Sequence, residues 1–138
     1  MEYRLSSLAE LPDVARQFVE DFVGPKTFAF DAPMGAGKTT FITAVLHAMG
    51  IQESEGSPTY GIVNTYDSHM FGKVYHYDVY RLTCFDEAYD IGMDEVLYSN
   101  AVCFIEWAEK IDNLLPEDTI WVYIRILEDN SRLITVKP

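Results

Sequence analysis

One stretch constrains this chain more than any other: Phe30-Asp31-Ala32-Pro33-Met34-Gly35-Ala36-Gly37-Lys38-Thr39-Thr40. Before it, residues 26–30 form a short apolar run rich in β-formers. After it, Phe41, Ile42, Val45, Leu46 and Met49 recur at helical spacing until Gly50. The predicted local structure is a buried strand, a glycine-bearing turn and a helix. Gly35 and Gly37 allow backbone N–H groups to converge on an anion, and the helix N-terminus adds partial positive charge. Lys38 then reaches terminal phosphates and Thr39 offers a hydroxyl to Mg²⁺, while Met34, Ala36 and Thr40 complete the cradle. The stretch reads as a nucleoside triphosphate site. It departs from the pattern G-x-x-x-x-G-K-[ST] at Ala32, where a methyl group is tolerated if the backbone is not left-handed.

The other elements follow from periodicity and turn chemistry. Residues 1–5 suit a short edge strand. Ser7 and Glu10 have capping-box spacing ahead of a helix whose stripe is Leu11, Val14, Ala15, Phe18, Val19 and Phe22, ended by Gly24-Pro25. Residues 52–61 are polar and turn-rich, with Pro58 pushing Ser57 toward extended backbone. Strands are predicted over 62–66 and 74–82, and short helices within 85–97, broken near Gly92. A central buried strand at 101–105 delivers Glu106-Trp107, and a short amphipathic helix over 108–115 is stopped by Pro116. Residues 119–127 and 132–136 close the chain as a hairpin. The fold class is α/β: one P-loop NTPase-like domain over 1–138, with a mixed, mainly parallel sheet flanked by helices and a C-terminal β-hairpin.

Open α/β sheets bind ligands beyond the carboxyl ends of their strands. Four segments converge there: the phosphate loop, the Ser57 loop, the strand bearing His76 and Asp78, and the strand end at Glu106-Trp107. On strand 74–82, Val74, His76, Asp78 and Tyr80 share one face; Tyr75, Tyr77, Val79 and Arg81 share the other. Thr39 and Glu106 are the candidate Mg²⁺ ligands. Asp78 is the candidate for orienting or activating an attacking water, against a structural role with Arg81 or His76. Trp107 either stacks on a base or packs.

Charge bounds the partners. Ten Lys and Arg face twenty-two Asp and Glu, a net charge of −12, whereas direct grip on nucleic acid needs a basic face. The expectation is no independent nucleic-acid binding. No apolar run approaches the roughly 20 residues that span a bilayer, and residues 1–5 carry no secretory pattern, so no membrane association and a cytoplasmic location are expected. Cys84 and Cys103 lack metal-ligand spacing and are expected as reduced core thiols.

The blocks Gly35-Ala36-Gly37-Lys38-Thr39-Thr40, Ser57-Pro58-Thr59-Tyr60, Asn64, Tyr66, Tyr75 to Leu82 and Ile105-Glu106-Trp107, in this order, resemble the TsaE family of bacterial ATPases. The resemblance implies slow Mg²⁺-dependent ATP hydrolysis in support of tRNA threonylcarbamoyladenosine formation, together with the proteins TsaD and TsaB. The tRNA would be met only through those partners. The resemblance also implies that Lys38 and Thr39 serve phosphate and metal, that Asp78 and Glu106 are the catalytic pair, that Trp107 lies near the nucleotide, and that Ser57 and Thr59, with His76, belong to a switch. Alternatives are a small-molecule kinase, disfavoured because the five arginines are not clustered, and a nucleotide-gated binding module without required turnover. A GTPase is disfavoured by the lack of an Asn-Lys-x-Asp run.

Overall fold

The computed structural model describes residues 1–24, 26–54, 56, 58, 62–84 and 86–137. Its strands are β1 (Glu2–Leu5), β2 (Thr27–Asp31), β3 (Val63–Ser68), β4 (Gly72–Asp78), β5 (Val102–Glu106), β6 (Ile120–Ile126) and β7 (Arg132–Lys137). Its α-helices are α1 (Leu11–Asp21), α2 (Lys38–Ala48), α3 (Asp86–Asp90) and α4 (Met93–Leu97). All seven strands join one sheet in the order β1-β7-β6-β2-β5-β4-β3. The centre, β6-β2-β5-β4, is parallel, and antiparallel pairings add β3 at one edge and β7 then β1 at the other. The α/β class, the mixed sheet and the C-terminal hairpin match the sequence reading.

Period-two alternation sends the residues of β5 into two cores. Phe104 and Val102 pack with Phe28, Phe30, Phe41 and Phe18 under α1 and α2. Cys103 and Ile105 pack with Tyr77, Met93, Leu97 and Ile111 on the opposite face. Helical cover on both faces is why β5 reads as a continuous apolar run, every residue of it buried. The aromatic knot on the α1–α2 face is close, with the Phe18 and Phe41 rings 5.3 Å apart edge to face and Phe28 stacked on Phe104 at 5.3 Å. It clamps α2, and therefore the loop before it, onto the sheet.

Register sets the functional edge. Phe30 of β2 lies opposite Glu106 of β5, and Glu106 lies opposite Asp78 of β4, so the phosphate loop and both acids emerge in one row at the strands' carboxyl ends.

Several boundaries differ from the sequence reading, each for a local reason. Strand β4 ends at Asp78 and not at Leu82, because Asp78 Oδ1 accepts the Tyr80 N–H at 3.0 Å and the Leu82 N–H turns back to the Val79 carbonyl at 3.1 Å. Strand β3 runs on to Ser68, whose buried hydroxyl organises the turn that follows. The Ser7-Glu10 box caps a 3₁₀ turn over Leu8–Glu10 that feeds α1, with Glu10 Oε1 accepting the Ser6 and Ser7 N–H groups at 2.6 and 3.2 Å. Ala108–Leu114 is 3₁₀ helix rather than α-helix, interrupted by non-helical backbone at Ile111. Of the two expected core thiols only Cys103 is buried, and burial pushes its pKa up to about 12; Cys84 is exposed. No helix among the described residues is long and apolar enough to cross a membrane.

Candidate functional site

The loop is shaped by two left-handed glycines. Gly35 has φ +83° and Gly37 φ +102°, and a Cβ at either would meet no neighbour, so it is backbone conformation that demands glycine at both. Ala32 is not among the residues with positive φ, which is why its methyl group is accommodated where the motif has glycine. Gly37 caps α2, which begins at Lys38. Met34 stands at the tip of the loop, 69% exposed.

Lys38 folds back across the loop. Its Nζ donates to the Ala32 carbonyl at 2.8 Å and lies 3.3 Å from the centroid of the Trp107 ring. Burial lowers the ammonium's pKa from its ordinary value, against the opposing pull of Glu106, Glu109, Asp78 and Asp31. Trp107 reaches Lys38 from a left-handed backbone, φ +62°, that immediately follows β5, and its ring also packs on Tyr80 at 4.8 Å. A left-handed tryptophan is a strained position of the kind that clusters at functional sites.

Thr39, next on the helix, donates its Oγ1 hydrogen to Glu106, with the carboxylate oxygens at 2.9 and 3.0 Å. Glu106 is itself buried and is met from below by His76, whose Nε2 lies 2.6 Å from Glu106 Oε2. Asp78 sits beside them on β4. A cleft of about 360 Å³ opens onto this group, lined by Met34, Gly35, Gly37, Lys38, Thr39, Thr40, Asp78, Glu106 and Trp107. Met34, the loop glycines, Lys38, Thr39, Thr40, Asp78, Glu106 and Trp107, picked from the sequence, are thus brought together. Ser57 and Thr59 lie outside the described residues.

A second cleft, of about 280 Å³, lies on the other flank of the loop, between Gly35, Ala36, Thr40 and the tip of the hairpin. Here Arg132, at the start of β7, donates from Nε to the Ala36 carbonyl at 3.2 Å and from its guanidinium to the Asn130 carbonyl at 2.6 Å. Sequence reasoning did not select Arg132, since nothing near it in the chain marks it; only the pairing of β6 with β7 carries it to the loop.

A family model, "Threonylcarbamoyl adenosine biosynthesis protein TsaE", matches residues 5–134. The chain belongs to the TsaE family. It is 41% identical over 103 residues to the tRNA threonylcarbamoyladenosine biosynthesis protein TsaE of Treponema pallidum, covering 75% of each chain. It is 33% identical over 136 residues to the TsaE of Rickettsia typhi, covering 98% of this chain and 93% of that one. In three dimensions it resembles the crystal structure of Bacillus subtilis YdiB with a TM-score of 0.73 at 27% identity, over 99% of this chain and 83% of YdiB. Family membership therefore embraces the phosphate loop, both acid-bearing strands and most of the hairpin that carries Arg132.

The TsaE site fits a magnesium ion by its donor chemistry. Mg²⁺ takes hard oxygen ligands, often one or two from protein with phosphates and waters supplying the rest. A hydroxyl and a carboxylate already in contact at the mouth of a phosphate loop are such a pair. Among the described residues no group of three or more His, Cys, Asp and Glu could form a cage of its own.

Proposed function

We propose that this TsaE-family chain binds and hydrolyses ATP with Mg²⁺, and that its turnover supports formation of threonylcarbamoyladenosine on tRNA with TsaD and TsaB as partners. The observation that carries the reading is the contact of Thr39 with the buried Glu106 beside a loop lysine held within reach of the same cleft. A metal bound there would supply neutralisation of phosphate charge. The chain's own residues do the rest. Backbone N–H groups from Gly35 to Thr39 and the N-terminus of α2 receive phosphate oxygens, and Lys38 leaves the Ala32 carbonyl to follow them. Thr39 and Glu106 hold the metal side. Asp78, at the rim, orients the attacking water or takes its proton. Trp107, 3.3 Å from the Lys38 ammonium, borders the phosphate side of the cleft, and the second cleft beside Arg132 opens on the other flank of the loop.

The name borne by the relatives, tRNA threonylcarbamoyladenosine biosynthesis protein, supports the pathway. The acidic charge supports a division of labour in which partners hold the tRNA. ATP turnover by the purified chain, alone and with TsaD and TsaB added, tests the reading. Stimulation by the pair is expected. Turnover indifferent to them but raised by a small phosphate acceptor would make the chain a kinase instead. Continued multi-cycle modification with a Glu106→Gln chain that binds ATP without splitting it would reduce the role to a nucleotide-gated docking module.

A further inference from the structure

We propose that His76 is a positioning residue: its Nε2–H fixes the carboxylate of Glu106 and so sets the affinity of the site for its metal. The proposal rests on the Mg²⁺ reading of Thr39 and Glu106 and extends it to a residue that touches neither nucleotide nor metal.

Three observations carry it. The His76 ring is 0% exposed, and Nε2 approaches Glu106 Oε2 to 2.6 Å. Its other nitrogen, Nδ1, has no hydrogen-bond partner among the described residues. The contact is diagonal across two parallel strands, since His76 lies opposite Phe104 and Glu106 is two residues further on the same face. As a metal ligand Glu106 is a carboxylate, and against a carboxylate a bare ring nitrogen at that distance would oppose lone pair to lone pair, so the ring donates from Nε2. Nδ1 is then the ring nitrogen left without a partner among the described residues.

The consequence is an asymmetric carboxylate. Thr39 reaches both oxygens almost equally, at 2.9 and 3.0 Å, and so cannot by itself choose a rotation for the group. His76 binds Oε2 alone, which fixes the plane and leaves the lone pairs of Oε1 the freer for a cation. Partners behind a metal ligand typically change metal affinity by about 10- to 100-fold when removed. Strand β4 thus contributes twice, with Asp78 at the rim and His76 beneath Glu106.

Two measurements decide it. In the unaltered protein, ¹⁵N NMR of the imidazole nitrogens, with His47 and His69 assigned by substitution, should find the His76 proton on Nε2; a proton on Nδ1 alone would overturn the proposal. The second is a Mg²⁺ titration of a fluorescent ATP analogue bound to His76→Leu, His76→Asn and His76→Gln. Leu keeps volume without a donor, Asn has an amide too short to reach, and the Gln amide nitrogen falls near the place of Nε2. Metal-free binding should stay within about threefold in all three, while the Mg²⁺ midpoint rises roughly 10- to 100-fold in Leu and Asn and is restored in Gln. An unchanged midpoint in Asn, or an equal rise in Gln and Asn, overturns the donor role; the Asn and Gln pair suffices if Leu does not fold. Analogue binding insensitive to Mg²⁺ in the unaltered chain would instead bring down the metal reading itself, and this proposal with it.

Discussion

The Lys38 ammonium is buried with the Ala32 carbonyl and the Trp107 ring as its close neighbours, a poor substitute for water. Lys38→Met should therefore abolish ATP binding, measured by calorimetry, and still raise the stability of the nucleotide-free protein by about 1 kcal/mol, roughly 3 °C in Tm. The pH dependence has a definite sign. Because burial lowers the folded-state pKa, the unfolded chain binds more protons in the interval between the folded and unfolded values, and stability rises as pH climbs through it. Denaturant titrations at increasingly alkaline pH should show the gap between Lys38→Met and the unaltered protein narrowing. At the rim, Asp78→Asn is expected to keep ATP affinity within several-fold and to slow hydrolysis about 100-fold, the usual scale for a lost base or water-orienting group. Undiminished hydrolysis would remove Asp78 from the mechanism. Residue identities at this edge were legible in the sequence because the motif supplies Lys38 and Thr39, and a buried apolar strand fixes where Glu106 emerges. The position of His76 directly under Glu106 was not, since it depends on the register of two strands separated by α3 and α4.

Elements were legible where one interaction dominates and less so where tertiary contacts set the ends. The hairpin of β6 and β7 and the break between α3 and α4 follow from local chemistry, the latter from Gly92 at φ +74°. Gly92→Ala meets no steric neighbour, so it should cost only the backbone strain, about 1 kcal/mol in a chemical melt. The extension of β3 to Ser68 could not be read off, because its reason lies across the fold. Ser68 Oγ donates to the Met49 carbonyl at 2.8 Å and accepts the Met70 and Phe71 N–H groups at 3.2 and 3.1 Å. One hydroxyl ties the end of α2 to the β3–β4 turn. Ser68→Ala leaves three backbone groups short of a partner and should destabilise by roughly 1–3 kcal/mol, with the protection of the Phe71 amide against hydrogen exchange falling first.

At the scale of the whole molecule, the net charge of −12 should make the isolated chain indifferent to tRNA, with no retention in a filter assay even at low salt. Detectable binding there would contradict the proposed division of labour. Its association with partner proteins should weaken as salt rises, if complementary charge steers it. The sheet order has a further consequence, in time rather than in space. Strand β2 emerges early in the sequence, yet both of its neighbours, β5 and β6, come late, and Thr39 meets Glu106 across 67 residues of chain. Long loops must close before those pairings give any return, so the centre of the sheet should form late, and the proposed triphosphate pocket with it. A ligand that recognises only the finished pocket should therefore slow unfolding and leave the refolding rate unchanged: on the proposed reading, nucleotide protects this chain once it has folded and does nothing to help it fold.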